Sequence, residues 1–475
     1  MSQAATVSVA RAVGTSRASK VQLGSLVGLT YLWWTLIVFE WDRFLAAKVG
    51  GPWYRIPALF APVLVLLLLR VLTGGRRGVY WPVAAFVLLH LAAIFYAENR
   101  GFVIASTKLL LYQLLTMTLL MTVADSPKRL VMLLKIFALG FIWYGVQGIP
   151  GGRVTWHQEL NNEDSYGPFL CIGLGFCYYF ALANPSRVWR LVGYVGAAVA
   201  CIGVVASFAR GAVIALVVTL LMVWLRSPRK VRTLLWGAVA VGVALVAIEV
   251  LFPGGAFWRR MHSVTEEGKD AGTGMVRWVM WGLALQLWQQ HPIFGIGAAN
   301  FGVVAAQTFP DDPSRPAFVY ADYLWGQQLH NSYVQILCEE GLVGMAIFLS
   351  ITFGFFRRVW RLRGKARLRE WRRRGGELDL RFAALALELG MIGFLCNGFF
   401  YNQMYVHWYW SLLGLALALE RCTEPSPPPA GAPPASREAD PRGPAPASTP
   451  PEPLTASLGA ALLRRGGANR SGPGA

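Results

Sequence analysis

The sequence predicts an all-α protein whose helices cross a membrane about twelve times. Apolar residues make up 55% of the 475-residue chain and charged residues only 15%, and the mean hydropathy is +0.45. Apolar runs of roughly 20 residues, the length that a bilayer requires, recur with only short polar breaks between them. Basic residues are concentrated in alternate breaks. These observations favour one polytopic helical bundle over several soluble domains.

The apolar runs give the order of the predicted membrane helices. They are expected at residues 23–41, 56–73, 79–96, 102–123, 129–148, 167–184, 190–208, 211–225, 232–252, 333–356, 382–398 and 402–419. Between the ninth and tenth runs lies a long tryptophan-rich segment, in which Met275–Gln290 predict a further helix. That helix is apolar nearly all round, with Arg277 as its only charge, so we expect it to lie on the membrane surface or dip into the bundle.

The basic loops predict the orientation of the bundle. They carry Arg70, Arg76 and Arg77, then Lys128 and Arg129, then Arg187 and Arg190, then Arg226, Arg229, Lys230 and Arg232, and finally the arginines of loop 357–381. Basic loops are retained in the cytoplasm, so an even number of helices places both termini there. The net charge of +19 therefore reports topology, and it does not indicate nucleic-acid binding.

The chain divides into five predicted parts. They are a cytoplasmic N-terminus (1–22), helices one to nine (23–252), a periplasmic loop with an interfacial helix (253–332), helices ten to twelve with the basic cytoplasmic loop 357–381 (333–419), and a tail (420–475). The N-terminus lacks the features of a cleaved signal peptide. The tail is rich in proline, alanine and glycine, so we expect a disordered cytoplasmic extension. The six cysteines have no metal-ligand or disulfide spacing, and we expect them to be reduced.

The strongest local signal for chemistry is the segment Leu329-His330-Asn331-Ser332-Tyr333-Val334-Gln335. Ser332 and Gln335 have capping-box spacing, which predicts the start of the tenth membrane helix there. His330 then lies just outside a helix N-terminus at the outer surface, where free amides and the helix dipole attract anions. It can exchange a proton near neutral pH and so act as a general base towards a hydroxyl group. The alternative is a histidine that only hydrogen-bonds at a lipid interface.

Two arginines are candidates for anion binding. Arg210 lies in a very short outer turn between two apolar helices, and Arg277 stands alone on the apolar loop helix. An arginine so close to hydrocarbon is costly unless it is paired or faces an aqueous cavity. Two guanidinium groups that face one cavity can grip a diphosphate through planar, permanently charged forks. The alternative is a pair of side chains that snorkel to the interface.

Other polar residues are weaker candidates. Asn331, Tyr333, Gln335, Glu339 and Glu340 are possible supporting residues around His330, and Glu339 is expected to share a helix face with Gln335. Their alternative role is helix packing. In the eleventh helix, Glu388 indicates either a polar pathway or a buried polar contact.

Two short segments near the outer surface carry further polar side chains. One is the aromatic and polar cluster Trp156, His157, Glu159, Asn161, Asn162, Glu163 and Asp164, which suits a sugar but also resembles an ordinary solvated loop. The other is Glu40-Trp41-Asp42, whose acidic spacing some membrane glycosyltransferases use for a metal. Because this match spans only three residues, we predict no metal site and no cofactor.

Several motifs, in a fixed order, resemble the O-antigen ligase and O-antigen polymerase superfamily. They are Ser207-Phe208-Ala209-Arg210-Gly211, then Arg277-Trp278, then His291-Pro292-Ile293-Phe294-Gly295-Ile296-Gly297 with Asn300-Phe301, then His330-Asn331-Ser332-Tyr333 with Glu340-Gly341 and Gly344. The resemblance covers roughly residues 160–349. One departure is Ala209, where family members more often carry serine, and this difference puts a local hydrogen bond in question.

The resemblance implies a GT-C-like enzyme of the bacterial inner membrane that needs no metal. Such enzymes transfer a glycan from undecaprenyl diphosphate to an acceptor, with inversion at the anomeric carbon. By motif, Arg210 and Arg277 would bind the diphosphate, and His330 would activate the acceptor hydroxyl. The implied partners are the lipid-linked glycan, an acceptor glycolipid or glycan, membrane lipid and polysaccharide-assembly proteins.

Four functions remain open at this point. A ligase and a repeat-unit polymerase of the same superfamily differ only in their acceptor, and a protein O-oligosaccharyltransferase is a third member of the set. A transporter for lipid-linked sugars would need charged residues along a path across the membrane. Most ionisable residues lie at the predicted outer surface instead, which favours the transferases.

Overall fold

A computed structural model describes residues 28–53, 81–124, 126–157, 159–251, 255, 258–259, 273–312, 319–402 and 406–424. Within these ranges the chain is all-helical and forms no strand. The predicted helix 56–73, the N-terminus 1–22 and the part of the tail beyond residue 424 lie outside the described residues.

The described helices follow the apolar runs closely. In chain order they are α1 (Gly28–Phe39), α2 (Trp41–Val49), α3 (Trp81–Ala93), α4 (Arg100–Val123), α5 (Pro127–Gly148), α6 (Glu163–Ala183), α7 (Arg187–Ala206), α8 (Arg210–Arg226), α9 (Lys230–Leu251), α10 (Thr273–Gln290), α11 (Phe301–Thr308), α12 (Ala321–Leu324), α13 (Ser332–Leu362), α14 (Lys365–Arg373), α15 (Leu380–Asn397) and α16 (His407–Cys422). The helix that Met275–Gln290 predicts is therefore present as α10.

Six of the described helices are long and apolar enough to cross a membrane: α4, α5, α6, α7, α13 and α15. Two shorter apolar helices, α1 and α3, add to them. This set confirms a polytopic membrane protein. The number of about twelve crossings and the GT-C-like arrangement stay predictions.

Several helix boundaries differ from the predicted ones: the helix predicted at 79–96 is Trp81–Ala93, and the helix predicted at 402–419 is His407–Cys422. Two further differences have local reasons. Glu40 adopts a left-handed backbone conformation with φ 41°, so α1 ends at Phe39 and α2 begins separately at Trp41. At the other difference, α13 continues to Leu362 instead of residue 356. The arginines after residue 356 are good helix formers, and no breaker precedes Gly364.

The helix α6 is the centre of the bundle and is buried along nearly its whole length. Its neighbours approach closely because small residues stand at the crossings. A Cβ on Gly193 of α7 would meet Ala181 of α6 at 2.7 Å, and one on Gly393 of α15 would meet the Cys171 carbonyl oxygen at 2.8 Å. Small residues allow this close backbone contact between helices in lipid, where packing rather than hydrophobic expulsion drives association.

The helix α13 is broken at Gly341, which has φ 65° and ψ −164°. The loop 291–297 inserts at the break and replaces the missing helical hydrogen bonds. Its backbone pairs with α13 on both sides of Gly341: Ile296 N–H donates to the Cys338 carbonyl at 3.1 Å, and Leu342 N–H donates to the Pro292 carbonyl at 2.9 Å. Two motifs that are separate in sequence thus form one structural unit.

The same loop is tied to the start of α4. The Tyr96 hydroxyl donates to the Phe294 carbonyl at 3.0 Å, and the Asn99 amide donates to the Asn300 side-chain oxygen at 2.7 Å. Asn99 itself caps α4 by accepting from Phe102 N–H at 3.2 Å. The loop 291–297 and the nearby Asn300 therefore have partners on α13 and in the segment between α3 and α4.

The opposite end of the bundle is rich in paired arginines. Arg226 at the end of α8 lies 2.8 Å from Glu388, and Arg363 forms a second ion pair with the same carboxylate. Arg358 of α13 donates to Glu420 of α16 at 2.9 Å. Glu388 thus makes a buried polar contact, the second of its two predicted roles.

We predict that Gly341→Ala strongly destabilises the protein. The backbone region of Gly341 is almost exclusive to glycine and costs other residues about 1–3 kcal/mol. In addition, a Cβ there would collide with the Ile293 carbonyl. The measurement is the unfolding midpoint in detergent.

The matched control is Gly282→Ala on α10, where an added Cβ meets no atom within 4 Å. We expect its midpoint to stay at or slightly above the wild-type value, because alanine favours helices over glycine. Equal midpoints for the two variants would contradict the account of the broken helix.

Candidate functional site

Three helix N-termini meet at one end of the bundle, those of α6, α8 and α13. Gly167 in the first turns of α6 packs against Ser207 and against Ala212 of α8. The start of α13 is joined to the segment that follows α15, because Ser332 N–H donates to the Gly398 carbonyl at 2.7 Å. Helix N-termini carry free amides and a positive dipole end, so this end of the bundle favours anions.

His330 precedes Asn331, the N-cap residue of α13, and has an unusual backbone, with φ 50°. Its ring centroid lies 6.0 Å from that of Tyr401. The Nδ1 atom is buried and has no hydrogen-bond partner among the residues that the structure describes. A buried imidazole nitrogen without a partner is an unusual feature that calls for a ligand, a water or a chemical role.

The charge state of His330 follows from its surroundings. Burial lowers the pKa of the imidazole, the nearby Arg277 guanidinium lowers it further, and Asp164 opposes them. The ring is therefore neutral at neutral pH, which is the state that can accept a proton. Arg277 and Asp164 therefore lie close enough to His330 to affect its charge. We call His330, Arg277, Asp164 and Tyr401 the His330 cluster.

Arg277 is held in this cluster by two contacts of α10. Its Nη2 donates to Asp164 Oδ2 at 2.8 Å, in a pair that is partly open to solvent. One turn further along α10, the Trp281 indole donates to the Leu329 carbonyl at 2.8 Å, directly before His330. The loop helix is thus fixed against the segment that carries the histidine.

Arg210 is the first residue of α8 and follows a strained turn. Phe208 in that turn has φ 54°, and the Ser207 hydroxyl accepts from Ala209 N–H at 3.2 Å. Ser207 therefore accepts the local hydrogen bond of this turn. Ala209 is the N-cap residue of α8 and makes no side-chain capping hydrogen bond. The next residue, Gly211, packs against Phe400, which lies beside Tyr401 of the His330 cluster.

The capping-box prediction was wrong about the capping residue. Asn331, not Ser332, caps α13, because its side-chain oxygen accepts from Tyr333 N–H at 3.0 Å and from Val334 N–H at 3.1 Å. Ser332 is the first helical residue, and its hydroxyl donates to the Tyr401 carbonyl at 2.9 Å. Because the side-chain oxygen of Asn331 accepts from both free amides, the Ser332 hydroxyl is available to contact Tyr401.

The remaining supporting candidates contact neighbouring elements of the bundle. Gln335 donates to Glu339 at 3.0 Å, which confirms their shared face, and Glu339 also accepts from the Ala299 amide at 2.9 Å. The Tyr333 hydroxyl donates to the Leu395 carbonyl of α15 at 2.6 Å. These contacts hold the loop before α11 and the start of α13 in place.

Glu340 lies against α3. Its Oε1 is 3.3 Å from Nε2 of His90, whose Nδ1 lies 3.0 Å from the Phe86 carbonyl. Because a carbonyl oxygen only accepts, Nδ1 of His90 must carry a proton. His90 therefore links its own helix turn to α13, as expected for a helix-to-helix contact.

A second cluster of ionisable residues lies beside the His330 cluster: Glu40, His157, Glu159 and His407. Nε2 of His157 is 3.2 Å from Glu40, and Nδ1 of His407 is 3.9 Å from Glu159. The amides of Glu159 and Leu160 both donate to Nδ1 of His157 at 3.0 Å. Neutral His157 therefore carries its proton on Nε2, directed towards Glu40.

The pKa values of the two carboxyl groups in this second cluster are shifted in opposite directions. Burial alone would raise the pKa of Glu40, but His157, Arg43 and His407 together lower it to about 2. Burial and the nearby Glu40 carboxylate raise the pKa of Glu159 to about 7. Although 35% of the Glu159 side chain is exposed, its Oε2 atom is inaccessible to water. Neighbouring carboxyl groups with such different pKa values are typical of functional sites.

Tyr401 connects the two clusters. Burial raises the pKa of its hydroxyl and the Glu159 carboxylate raises it further, whereas hydrogen bonds with Ser165 and Asn162 oppose them. Its ring also faces His330. Tyr401 was missed by sequence reasoning, since a tyrosine in an apolar stretch gives no signal by itself.

Glu40, one residue of the acidic pair Glu40 and Asp42, already has partners within the protein. Glu40 contacts His157 and lies 3.2 Å from Arg43, so its carboxylate is already surrounded by cationic and donor groups. In the ranges that the structure describes, no three His, Cys, Asp or Glu side chains are arranged to hold a metal ion.

We predict that Glu159→Gln changes the pH dependence of stability. A folded-state pKa of about 7 lies above the unfolded value, so wild-type stability is fully present below about pH 4 and declines as the pH rises through 7. Glutamine mimics the protonated carboxyl group at every pH. The variant should therefore unfold at a higher temperature than wild type at pH 8, and this advantage should shrink towards pH 5.

The control is Glu98→Gln, an exposed substitution outside both clusters. Its effect on the unfolding midpoint should be the same at pH 5 and pH 8. A pH-independent difference between Glu159→Gln and wild type would contradict the proposed environment of Glu159.

Comparison with known families bears on the segment that holds these residues. Residues 195–349 match the family model of O-antigen ligase, and the match includes Arg210, Arg277 and His330. No match was found among curated proteins. Members of the matched family are glycosyltransferase-like enzymes. The chain is therefore a multi-pass membrane protein whose residues 195–349 match the O-antigen ligase family, and this match is consistent with the O-antigen ligase superfamily.

Proposed function

We propose that the protein transfers a glycan from undecaprenyl diphosphate to an acceptor hydroxyl at the periplasmic face of a bacterial inner membrane, as an O-antigen ligase does. The observation that carries this proposal is His330, which lies beside Arg277 and a helix N-terminus and whose buried Nδ1 has no hydrogen-bond partner in the described part of the chain. Together they supply a proton acceptor and an anion site at one place, which is what this reaction requires.

In the proposed reaction His330 is the general base. Its lowered pKa keeps the ring neutral, so Nδ1 can take the proton of the acceptor hydroxyl as the oxygen attacks the anomeric carbon. The bond between the anomeric carbon and the diphosphate oxygen breaks, and its electron pair leaves with undecaprenyl diphosphate. One displacement of this kind inverts the configuration at the anomeric carbon.

In the proposed donor complex, Arg210 and Arg277 hold the diphosphate. The planar guanidinium fork of an arginine can bind two phosphate oxygens. In the described structure Asp164 occupies one side of the Arg277 fork. We expect it to hold this arginine in position until a phosphate takes its place. The start of α8, which has no side-chain cap, adds further anion-binding capacity.

A repeat-unit polymerase of the same superfamily is the second candidate, since it would use the same donor and the same base. The two activities differ in the acceptor, a lipid A core or a lipid-linked glycan. An assay that offers both acceptors to the purified enzyme separates them.

We predict that His330→Ala lowers the turnover of glycan transfer by about 10²–10⁴-fold, the usual effect of removing a positioned proton acceptor. Binding of the undecaprenyl diphosphate donor should be largely retained. The control is His291→Ala, because His291 is an exposed histidine of the same domain. Near-normal turnover by a well-folded His330→Ala protein would remove this residue from the mechanism.

The arginines give a separate prediction. Lysine at position 210 or 277 should weaken use of the lipid-linked donor, because a point charge cannot reproduce a bidentate fork. The control is Arg190→Lys, since Arg190 donates to the Asn184 and Pro185 carbonyls at the other end of α7. The measurement is the donor concentration that gives half-maximal transfer. An unchanged value for both site variants would contradict the diphosphate assignment.

Chelation tests the proposed metal independence. We expect EDTA to leave the rate of the purified enzyme unchanged, since the proposed step relies on His330 and two arginines alone. Strong inhibition that added metal reverses would contradict this expectation and would draw attention back to Glu40 and Asp42.

The proposed orientation is tested by reporter fusions. Fusions near Asp164 and Asp312 should report the periplasm, and fusions after Arg129, Arg232 and Arg374 should report the cytoplasm, because basic loops are retained inside. A cytoplasmic signal at Asp312 would place the site on the wrong side for the proposed reaction.

A further inference from the structure

A cleft of about 270 Å³ lies at the arginine-rich end of the bundle, opposite the His330 cluster. It is lined by one stripe of α13, from Ser350 through Phe353 to Arg357, Arg358 and Arg361, together with Glu420 of α16. These positions of α13 are three or four residues apart, so they share one helix face. The cleft is thus a groove between the last turns of two helices.

The charges in this cleft do not balance. Arg358 donates to Glu420 at 2.9 Å, so these two side chains neutralise each other. Arg357 and Arg361 are exposed, and neither forms an ion pair with a carboxylate in the described part of the chain. Two guanidinium groups therefore leave the cleft with an excess of positive charge.

The cleft also lies where the surface of α13 changes from apolar to basic. Phe353, one turn before Arg357, is 66% exposed, and Leu349, one turn earlier, is 54% exposed. These exposed apolar side chains belong to a helix that is long and apolar enough to cross a membrane. Basic side chains that follow an apolar helix surface sit at the level of the lipid headgroups.

We propose that this cleft binds the phosphate headgroup of an anionic phospholipid. Arg357 and Arg361 would hold the phosphate oxygens, and the acyl chains would cover Phe353 and Leu349. Basic pockets between membrane helices bind such headgroups in this manner. A free phosphate ion has the same charge chemistry but no acyl chain to cover the exposed apolar stripe, so the phospholipid is the better fit. This inference does not depend on the proposed glycan transfer.

The test compares lipid binding by two charge-matched double variants. Arg357→Gln/Arg361→Gln removes the cleft arginines, and Arg369→Gln/Arg372→Gln removes two exposed arginines of α14 that do not line the cleft. Each protein is purified, and its retention of phosphatidylglycerol against phosphatidylcholine is measured by native mass spectrometry. The unfolding midpoint is measured with each lipid added.

We expect the wild type and the α14 control to retain phosphatidylglycerol preferentially and to be stabilised by it. The cleft variant should bind it about tenfold more weakly or worse, since two charges near the membrane surface are lost. Equal losses in both double variants would show diffuse charge attraction and overturn the proposal. Stabilisation by inorganic phosphate equal to that by phosphatidylglycerol would overturn the lipid assignment.

Folding of the cleft variant is checked by its unfolding midpoint in phosphatidylcholine, which should match that of the wild type. If the double variant does not fold, the single variants Arg357→Gln and Arg361→Gln replace it, each with a partial loss of phosphatidylglycerol binding. Full retention of the lipid by both folded single variants would contradict the proposal.

Discussion

The break in α13 at Gly341 is the constraint on which the candidate site depends. A helix interrupted inside a membrane leaves backbone groups without partners, and that is tolerated only where other protein groups satisfy them. Here the loop 291–297 supplies those partners, and its hydrogen bonds join α10 and α11 to α13. The same assembly fixes Trp281 against Leu329, and so determines how Arg277 approaches His330.

The two ends of the bundle have different electrostatic character, and each suits a different partner. At the His330 end, a neutral imidazole, partly paired arginines and helix N-termini create a site that can take an anion and a proton. At the other end, Arg226, Arg358 and Arg363 are paired with carboxylates, which leaves Arg357 and Arg361 as the excess charge of the cleft. The proposed donor and the proposed phospholipid both present phosphate, but they would meet different surroundings.

Helices and candidate site residues could be predicted from the sequence where neighbouring residues alone indicate them. The apolar runs predicted the positions of the helices. Arg210 and Arg277 became candidates because an arginine beside hydrocarbon is costly, and His330 because it stands just before a helix. The roles of these three residues stay predictions, and the structure places Arg277 beside His330. The family match adds that all three lie in the segment 195–349, which is similar to O-antigen ligase.

Features that depend on distant pairing could not be read from the sequence. Glu40 and His157 each belonged to a weak local pattern, and only the fold brings them to 3.2 Å. Gly341 appeared in the sequence only as part of a motif, and nothing near it in sequence identified the loop that fills the break. The cap of α13 was assigned to Ser332 because spacing alone does not reveal that Asn331 reaches the same donors, while Ser332 contacts Tyr401.

The most direct test of the central claim is an experimental structure of the protein in nanodiscs with undecaprenyl diphosphate bound. The account predicts the diphosphate at the end of the bundle where α6, α8 and α13 begin, with phosphate oxygens about 3 Å from the guanidinium groups of Arg210 and Arg277. Nδ1 of His330 should face the position where the acceptor hydroxyl attacks the anomeric carbon. A diphosphate bound elsewhere, with both arginines in their unliganded contacts, would contradict the account.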